Sequence, residues 1–443
     1  MTTSSLGASP YLRLFRNRSF AALWLGQMVS FIGDYFNWLA IPILINRLTG
    51  SATMVGLSMI ATALPALLLG PLAGVFVDRW DRKWTMIGSD LLRALLVLVL
   101  LTVHSREQVW IFYVVGFLVS CTSQFFFPAR GAVLPLVVKE PEDWLPANGL
   151  MQIIMTVGLL AGPALAGFSI GLWGERVAFV MNSAGYLVSA AAVLTMTVPR
   201  TTSSPASANS VRAVWNDLRE GVVYLFGHSS TVGALICMSV ALLGAGAINV
   251  VWVPFLQRTF NIGAVGLGIV DSAQGVGMVV GGLLLGLVSR RIPKAILGAG
   301  GMIVLSIPFA MIGYVPLFWM VVVLSFFIGV GLVPLQSALT TILQMSVPDK
   351  KRGRVGASFN AVTTAASLIS MGLAATFGEM IGLRTVYLLT GILIFLAGLI
   401  GFKLLKEPDH IAEDSDSDEV PRFNQPTVSM IADPAGSLKA GED

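Results

Sequence analysis

The sequence predicts an all-α membrane protein with twelve transmembrane helices in two pseudo-symmetric six-helix bundles. The mean hydropathy is +0.80 and only 12% of residues are charged, whereas soluble domains carry about a quarter. Apolar segments of roughly 20 residues recur along the chain, and each is long enough to cross a bilayer as a helix. A motif of the first half also reappears six segments later, which predicts an internal repeat.

The apolar segments follow one another at regular intervals along the chain. The first is preceded by Arg13, Arg16 and Arg18 and has no small-residue cleavage site, so it is predicted to be a membrane helix and not a signal peptide. The twelve predicted helices cover about 20–45, 52–77, 84–103, 109–128, 150–173, 176–198, 230–256, 263–289, 295–314, 316–338, 355–380 and 382–404.

The basic residues predict the orientation of these helices. They concentrate before the first helix and in the loops after even-numbered helices, as at Arg79, Arg82 and Lys83. The loops on the other side hold few, among them Arg47 and Arg106. Because Lys and Arg accumulate on the cytoplasmic side of membrane proteins, both termini are predicted to be cytoplasmic. We expect a multi-pass protein of the cell (inner or plasma) membrane.

The repeat divides the chain. Gly70-Pro-Leu-Ala-Gly74 followed by Asp78-Arg79 recurs as Gly282-Leu-Leu-Leu-Gly286 followed by Arg290-Arg291. A parallel repeat of six helices is an architecture of secondary transporters.

Four regions are therefore predicted. Residues 1–198 and 229–406 form the two bundles, residues 199–228 form a cytoplasmic linker with an interfacial helix, and residues 407–443 form a disordered acidic tail. The apolar face of the interfacial helix is predicted to contain Val211, Val214, Trp215, Leu218, Val222 and Leu225.

The first loop on the predicted cytoplasmic side holds a dense charge cluster. It resembles the inner-loop motif of the major facilitator superfamily, G-x3-D-R-x-G-R-K, as Gly74, Asp78, Arg79, Arg82 and Lys83. Asp81 replaces the usual glycine, as in the branch of macrolide-efflux and enterobactin-exporter-like proteins, which are drug:proton antiporters. The resemblance implies that Asp78 caps a helix of the opposite bundle and that the basic residues stabilise the outward-open state. The alternative is simple anchoring of a helix end at the interface.

A second motif lies in the fifth segment, at Gly158, Gly162, Pro163 and Gly167. Small residues four apart let helices approach closely, and the proline kinks its helix. The stretch is similar to the G-P-x-x-G motif of proton-driven exporters of the superfamily, which implies a role in the conformational change. Generic tight helix packing is the alternative.

Asp34 lies near the middle of the first segment and is the first candidate for proton coupling. Gln27, Ser30, Asp34 and Asn37 form one polar stripe on a helix, which predicts that they face a polar cavity. A carboxyl group removed from water exchanges its proton nearer to neutral pH than an exposed one does. The alternative is a stripe that only hydrogen-bonds to another helix. Asp271 is the second candidate.

Other polar residues within the segments receive separate predictions. Asp90 and Arg93 are expected to form a structural pair, and Glu379 is expected to be solvated near the outer surface. The residues predicted to line a substrate cavity are Gln27, Ser30, Asn37, Trp38, Gln124, Asn249, Asn360 and Thr363.

Several functions are excluded by what the sequence lacks. It contains no phosphate-binding G-x-x-x-x-G-K-[ST] loop and no metal-ligand spacing of His and Cys. Cys121 and Cys237 lie inside apolar segments. We therefore expect no enzyme activity, no cofactor, no metal site and no nucleic-acid partner.

The balance of charged residues inside the predicted membrane segments indicates the substrate class. Several acidic residues lie there against one basic residue, Arg93, which favours neutral or cationic amphiphiles as substrates. We expect a monomeric secondary active transporter that exports lipophilic or weakly basic small molecules in exchange for protons by alternating access. Its partners are then the substrate, protons and the lipid bilayer. Two alternatives stay open: export of an endogenous siderophore or lysolipid, and a non-transporting receptor or scaffold.

Overall fold

The computed structural model describes residues 10–199, 211–289 and 291–405. Within them, twelve helices are long and apolar enough to cross a membrane, and no strand is present. This confirms the predicted all-α class and the number of membrane helices. The predicted linker residues 200–210, Arg290 and the acidic tail lie outside the described residues.

The first bundle follows a short helix, α1 (Pro10–Arg16). Its membrane helices are α2 (Arg18–Thr49), α3 (Ala52–Val77), α4 (Arg82–Val99), α5 (Trp110–Val137), α6 (Trp144–Trp173) and α7 (Glu175–Thr195). Short 3-10 turns lie at Leu100–Thr102, Arg106–Gln108 and Pro141–Asp143.

The second bundle follows α8 (Val211–Gly227), which connects it to the first. Its membrane helices are α9 (Ser229–Phe260), α10 (Ala264–Val288), α11 (Lys294–Ile312), α12 (Phe318–Met345), α13 (Arg352–Ile381) and α14 (Leu383–Leu404). The two bundles repeat the same packing: α2 contacts α6 and α7 as α9 contacts α13 and α14, and α3 contacts α5 as α10 contacts α12.

Several helices are longer than the sequence predicts. The fourth membrane helix continues to Val137, the fifth begins at Trp144, and the tenth ends at Met345. Hydropathy marks only the part of a helix that matches the hydrocarbon core. The helical backbone continues until a local signal stops it, as where Val138 becomes extended shortly before Pro141.

The bundles contact each other mainly at one end, which we call the closed end. It contains the loops at Gly50, Gly174, Asn261 and Gly382, where the backbone takes positive φ angles. A Cβ atom added to Gly56 of α3 would lie 2.6 Å from Ala375 Cβ of α13. At the opposite end, the open end, a Cβ at either repeat-matched glycine, Gly74 or Gly286, would have no neighbour within 4 Å.

Helix α8 packs along α13 at the open end. Leu225 is fully buried, Ser358 donates a hydrogen bond to the Leu218 carbonyl, and Arg354 pairs with both Asp217 (3.0 Å) and Glu220 (2.8 Å). Trp215, which was predicted to share the apolar face, is 70% exposed. The apolar residues of α8 are therefore divided between the protein and its surroundings, because α13 covers only one side of the helix.

Candidate functional site

A cavity of about 550 Å³, which we call the central cavity, lies between the two bundles. Its lining includes Asp34, Tyr35 and Trp38 of α2, and Asn249, Trp252 and Asp271 of the second bundle. Both predicted proton-coupling residues therefore reach the same space from opposite bundles. Most of the remaining lining is apolar, which suits a lipophilic ligand with a few polar groups.

Asp34 is held by donors from α7. The Tyr186 hydroxyl donates to Asp34 Oδ1 at 2.6 Å, and Asn182 Nδ2 donates to the same oxygen at 3.2 Å. Asn37 Nδ2 in turn donates to Asn182 Oδ1 at 2.7 Å. These hydrogen bonds fix the position of the Asp34 carboxyl group beside the cavity.

Small residues bring α2 and α7 close enough for these bonds. A Cβ at Gly26 would lie 2.8 Å from Ala192 Cβ, and one at Gly185 would lie 3.2 Å from the Val29 carbonyl oxygen. The polar stripe of α2 therefore lies largely against α7, as in the interhelical alternative of the sequence analysis. Only its Asp34–Asn37 part also reaches a cavity.

The sequence analysis also predicted that Gln27 and Ser30, the other two residues of the stripe, line a substrate cavity, but the structure places both elsewhere. Gln27 is buried, donates to Ser189 Oγ at 3.0 Å and accepts from Arg130 Nη1 at 3.2 Å. Ser30 is buried where α2 meets Gly185. Neither lines the cavities, because the close packing of α2 on α7 covers that part of the stripe.

Asp90 and Arg93 form the expected pair, and both are almost fully buried. The pair borders the Asp34 site: the Arg93 guanidinium lies 4.3 Å from the centre of the Phe126 ring and 4.5 Å from that of Tyr186. Tyr186 thus places its ring against the cation and its hydroxyl on the Asp34 carboxylate. The sequence analysis missed Tyr186 and Asn182, although the helical spacing of Asn182, Tyr186 and Ser189 was a visible signal.

Asp271 has a simpler environment. It accepts a hydrogen bond from Trp252 Nε1 at 3.0 Å and faces the central cavity. Ser325 and Tyr387, also in the lining, have buried hydroxyls without a partner in the described part of the chain. The polar groups on this side of the cavity therefore include one carboxylate and two unpaired hydroxyls.

A second cavity of about 420 Å³ extends into the first bundle. It shares Asp34, Trp38 and Asn249 with the central cavity and also contacts Asn37 and Tyr186. The two spaces meet at the Asp34 carboxylate and the Trp38 indole.

The structure separates the predicted cavity residues into two groups. Asn37, Trp38 and Asn249 line the cavities. Thr363 is buried and donates to the Phe359 carbonyl of its own helix, while Asn360 is exposed. Those that lie outside both linings are Gln27, Ser30, Gln124, Asn360 and Thr363.

The glycine motif of α6 contacts two different helices. Gly158 faces the Phe31 ring, and a Cβ at Gly162 would lie 2.6 Å from Tyr35 Cγ, so both support α2 beside the cavity. A Cβ at Gly167 would lie 2.6 Å from the Ala264 carbonyl oxygen of α10, across the bundle boundary. Pro163 lines the central cavity. The motif therefore supports the cavity wall at one end and the contact between bundles at the other.

The sequence analysis expected Glu379 to be solvated, but in the structure its carboxylate has partners. Its Oε1 accepts from the Ala52 backbone N–H and from Arg258 Nη2, each at 2.8 Å. Arg258 also donates to the Gly50 carbonyl at 2.6 Å. We call Glu379, Arg258 and Gly50–Ala52 the closed-end clasp. It joins α9 and α13 to the start of α3, where a carboxylate is favoured by the helix dipole.

The charged loop at the open end is bound within its own bundle. Lys83 Nζ donates to the carbonyls of Leu194 (2.9 Å) and Met196 (2.7 Å), and Asp81 caps α4 by accepting from the Trp84 N–H at 3.0 Å. Asp78 and Arg79 are exposed, and within the described residues no donor is bonded to the Asp78 side chain. The cross-bundle cap that the resemblance implies for Asp78 is not formed while this end is open.

Comparisons with known proteins agree with this architecture. Residues 8–437 match the family described as transmembrane secretion effector. Macrolide efflux protein A of Streptococcus pyogenes is 28% identical over 388 residues, 86% of this chain and 94% of that protein. Multidrug efflux pump Tap of Mycobacterium bovis is 25% identical over 421 residues, 91% of this chain and 97% of that protein.

A solved structure with the same fold is a bacterial homologue of the iron transporter ferroportin in an inward-facing state. It aligns with a TM-score of 0.72 at 14% identity, over 89% of this chain and 99% of that chain. The family match covers nearly the whole chain, including both bundles. The chain therefore belongs to the transmembrane secretion effector family and is a membrane transporter of the major facilitator superfamily.

Proposed function

We propose that this transporter exports lipophilic or weakly basic small molecules in exchange for protons. The observation that carries the proposal is the pair of carboxylates, Asp34 and Asp271, that face one largely apolar cavity from opposite bundles. A ligand in this cavity contacts aromatic rings and carboxylates together, which favours cationic amphiphiles. The names of the relatives, a macrolide efflux protein and a multidrug efflux pump, support the same class.

The cations near the cavity do not favour an anionic substrate. Arg93 is paired with Asp90, and Arg130 donates to Gln27 and lies 5.2 Å from the Phe127 ring centre. A carrier of phosphates or dicarboxylates would need a free Arg or Lys at the ligand. The lining of the central cavity contains two acids, Asp34 and Asp271, and no Arg or Lys among the described residues, which supports cation export.

Alternating access is supported by the unequal ends of the molecule. The bundles touch at the closed end and separate towards the open end, where the charged loop lies. We assign the open end to the cytoplasm, because the basic residues concentrate there. In this orientation the described conformation receives substrate from the cytoplasmic side of the cell membrane, and both termini are cytoplasmic.

Asp34 is our first choice for the coupling residue. Tyr186 and Asn182 hold its carboxyl group at the cavity by hydrogen bonds, where it can pair with a cation and, when the cation has left, accept a proton. One carboxylate that holds either a proton or a cation gives exchange of the two. Asp271 is the second choice.

The experiment uses the purified full chain in proteoliposomes with ethidium and erythromycin as substrates. Asp34→Asn preserves the size of the side chain but cannot release a proton. We expect substrate-driven proton movement to vanish and binding of the cation to weaken. Glu107→Gln, at an exposed carboxylate outside the cavities, is the control and should behave as wild type.

The outcomes separate the parts of the proposal. If Asp34→Asn still couples protons to transport, Asp34 is not the coupling residue and Asp271→Asn is tested next. If neither variant changes proton movement, the coupling residue is neither Asp34 nor Asp271, and if substrate drives no proton movement in wild type, the transporter is not a proton antiporter. If the wild type moves neither compound, the proposed substrate class is wrong.

A further inference from the structure

We infer that the second cavity is a binding subsite for a group rich in hydrogen-bond donors, such as a protonated amine, while the central cavity holds the apolar body of the same molecule. This inference rests on the proposed function and names the substrate class more narrowly. The cavity lies mainly among helices of the first bundle and joins the central cavity at Asp34 and Trp38. A single ligand can therefore occupy both.

Three of the four serine and threonine hydroxyls that line this cavity already donate their protons to their own helices. Ser58 Oγ donates to the Val55 carbonyl at 2.7 Å, Thr62 Oγ1 to the Met59 carbonyl at 2.9 Å, and Ser123 Oγ to the Val119 carbonyl at 2.9 Å. A hydroxyl has one proton and two lone pairs. Once its proton is used, the oxygen can only accept. These three side chains therefore present acceptors to a ligand, although Ser123 has only one lone pair left because its Oγ also accepts from Arg93 Nη1 at 3.5 Å.

The remaining polar groups at the Asp34 side continue this pattern. Tyr186 donates its proton to Asp34, and the Asp34 carboxylate is itself an acceptor. Asn37 donates through Nδ2 to Asn182, whereas its buried Oδ1 has no partner in the described part of the chain. The cavity thus combines acceptors with a negative charge at its mouth.

This arrangement selects by chemistry and not only by charge. An ammonium group with N–H donors can bond to several of these oxygens and also pair with Asp34. A quaternary ammonium group has the same charge but no donor, so it leaves the acceptors without a partner. Buried acceptors that lose water and gain no donor destabilise a complex. We therefore expect primary amines to bind more tightly than their trimethylated counterparts.

The test compares two ligands that differ only in donors: 1-naphthylmethylammonium and its N,N,N-trimethyl counterpart. Binding to the purified full chain is measured by quenching of tryptophan fluorescence, since Trp38 and Trp252 line the central cavity. Thr62→Val removes one acceptor while it keeps the shape of the side chain. We expect the primary amine to bind about three- to tenfold more weakly to this variant, and the trimethyl ligand to bind at least as tightly as it does to wild type, because it leaves one acceptor fewer without a partner.

Thr341→Val is the matched control. Thr341 donates to the Ser337 carbonyl at 2.7 Å in α12, just as Thr62 donates to its own helix, but it lines neither cavity. It should bind both ligands as wild type does. Ser123→Ala provides a second test at the same cavity if Thr62→Val does not fold, and it should weaken the primary amine alone.

Equal effects on the two ligands, or none in either cavity variant, would overturn the subsite. The proposed function is tested separately by Asp34→Asn, which should weaken both cations. If Asp34→Asn changes neither while Thr62→Val affects the amine, the subsite stands and the role of Asp34 fails. If wild type binds neither ligand, the substrate class and the subsite fail together.

Discussion

Gly167 gives the sharpest prediction about the contact between the bundles. Replacing it by alanine adds a Cβ atom 2.6 Å from the Ala264 carbonyl oxygen and 3.1 Å from Gly268 Cα. Both are backbone atoms of α10 and cannot turn aside as a flexible side chain would. Since carbon atoms make their best contacts at about 3.5–4.0 Å, α6 and α10 must separate by several tenths of an ångström. The added methyl group therefore disfavours the closed end.

The size of the effect follows from this overlap. Overpacking a tight contact costs about 1–3 kcal/mol, and the cost falls only on the conformation in which α6 and α10 touch at this end. The conformation that opens there is spared. Gly167→Ala should therefore shift the equilibrium between the two conformations by about 5- to 150-fold towards opening of the closed end.

In the proposed orientation the closed end faces outward, so the assay measures access to the cavity from outside the cell. Cys121 and Cys237 are first replaced, because both are free thiols. A cysteine placed at Ile41, which lines the second cavity, is then labelled in intact cells with a membrane-impermeant maleimide. Gly167→Ala should accelerate labelling, whereas Gly88→Ala should not, since a Cβ at Gly88 has no neighbour within 4 Å. Labelling of Gly167→Ala at the wild-type rate would refute the assignment of this contact to the closed end.

Three further substitutions test the clasp, the charged loop and the cavity wall. Glu379→Gln removes the carboxylate that accepts from the Ala52 N–H. Because the clasp is partly exposed, we expect the closed end to lose about 0.5–1 kcal/mol of stability and the same labelling rate to rise two- to fivefold. No rise would show that the clasp does not stabilise the closed end. Asp78→Asn should abolish transport without loss of membrane insertion and should slow the outside labelling; full transport would favour simple anchoring. Gly162→Leu forces bulk onto the Tyr35 ring, so substrate transport in vesicles should be lost, and an active variant would mean that this face tolerates the added volume.

The fold could be predicted because it depends on local properties of the sequence. A run of about 20 apolar residues is enough to identify a membrane helix, and the recurrence of the Gly70–Gly74 pattern is enough to indicate the repeat. The ends of the helices were less predictable. Helix α5 continues through Arg130 to Val137. Hydropathy ends the predicted segment before Arg130 because that residue is charged, whereas a charged side chain does not end the helical backbone.

The site was only partly predictable, because it depends on which helices touch. The polar stripe of α2 indicated Asp34, but it did not indicate that α7 would cover Gln27 and Ser30. That requires the close approach at Gly26 and Gly185, which belong to different helices. Glu379 was placed in solvent for the same reason: its partner, the start of α3, is more than 300 residues away in the chain.

The closed-end clasp makes the conformational equilibrium of this transporter depend on the salt concentration of its surroundings. The side chains of Arg258 and Glu379 are 39% and 34% exposed, so dissolved ions screen the attraction of these charges to the Gly50 carbonyl and the Ala52 N–H of the other bundle, over a Debye length of about 10 Å at 0.1 M salt. The steric contact at Gly167 does not depend on salt. In the proposed orientation, a cell that moves from dilute to saline medium weakens one support of the outer closure and keeps the other. The resting proportion of outward-facing molecules then rises with external salt before any substrate or proton binds.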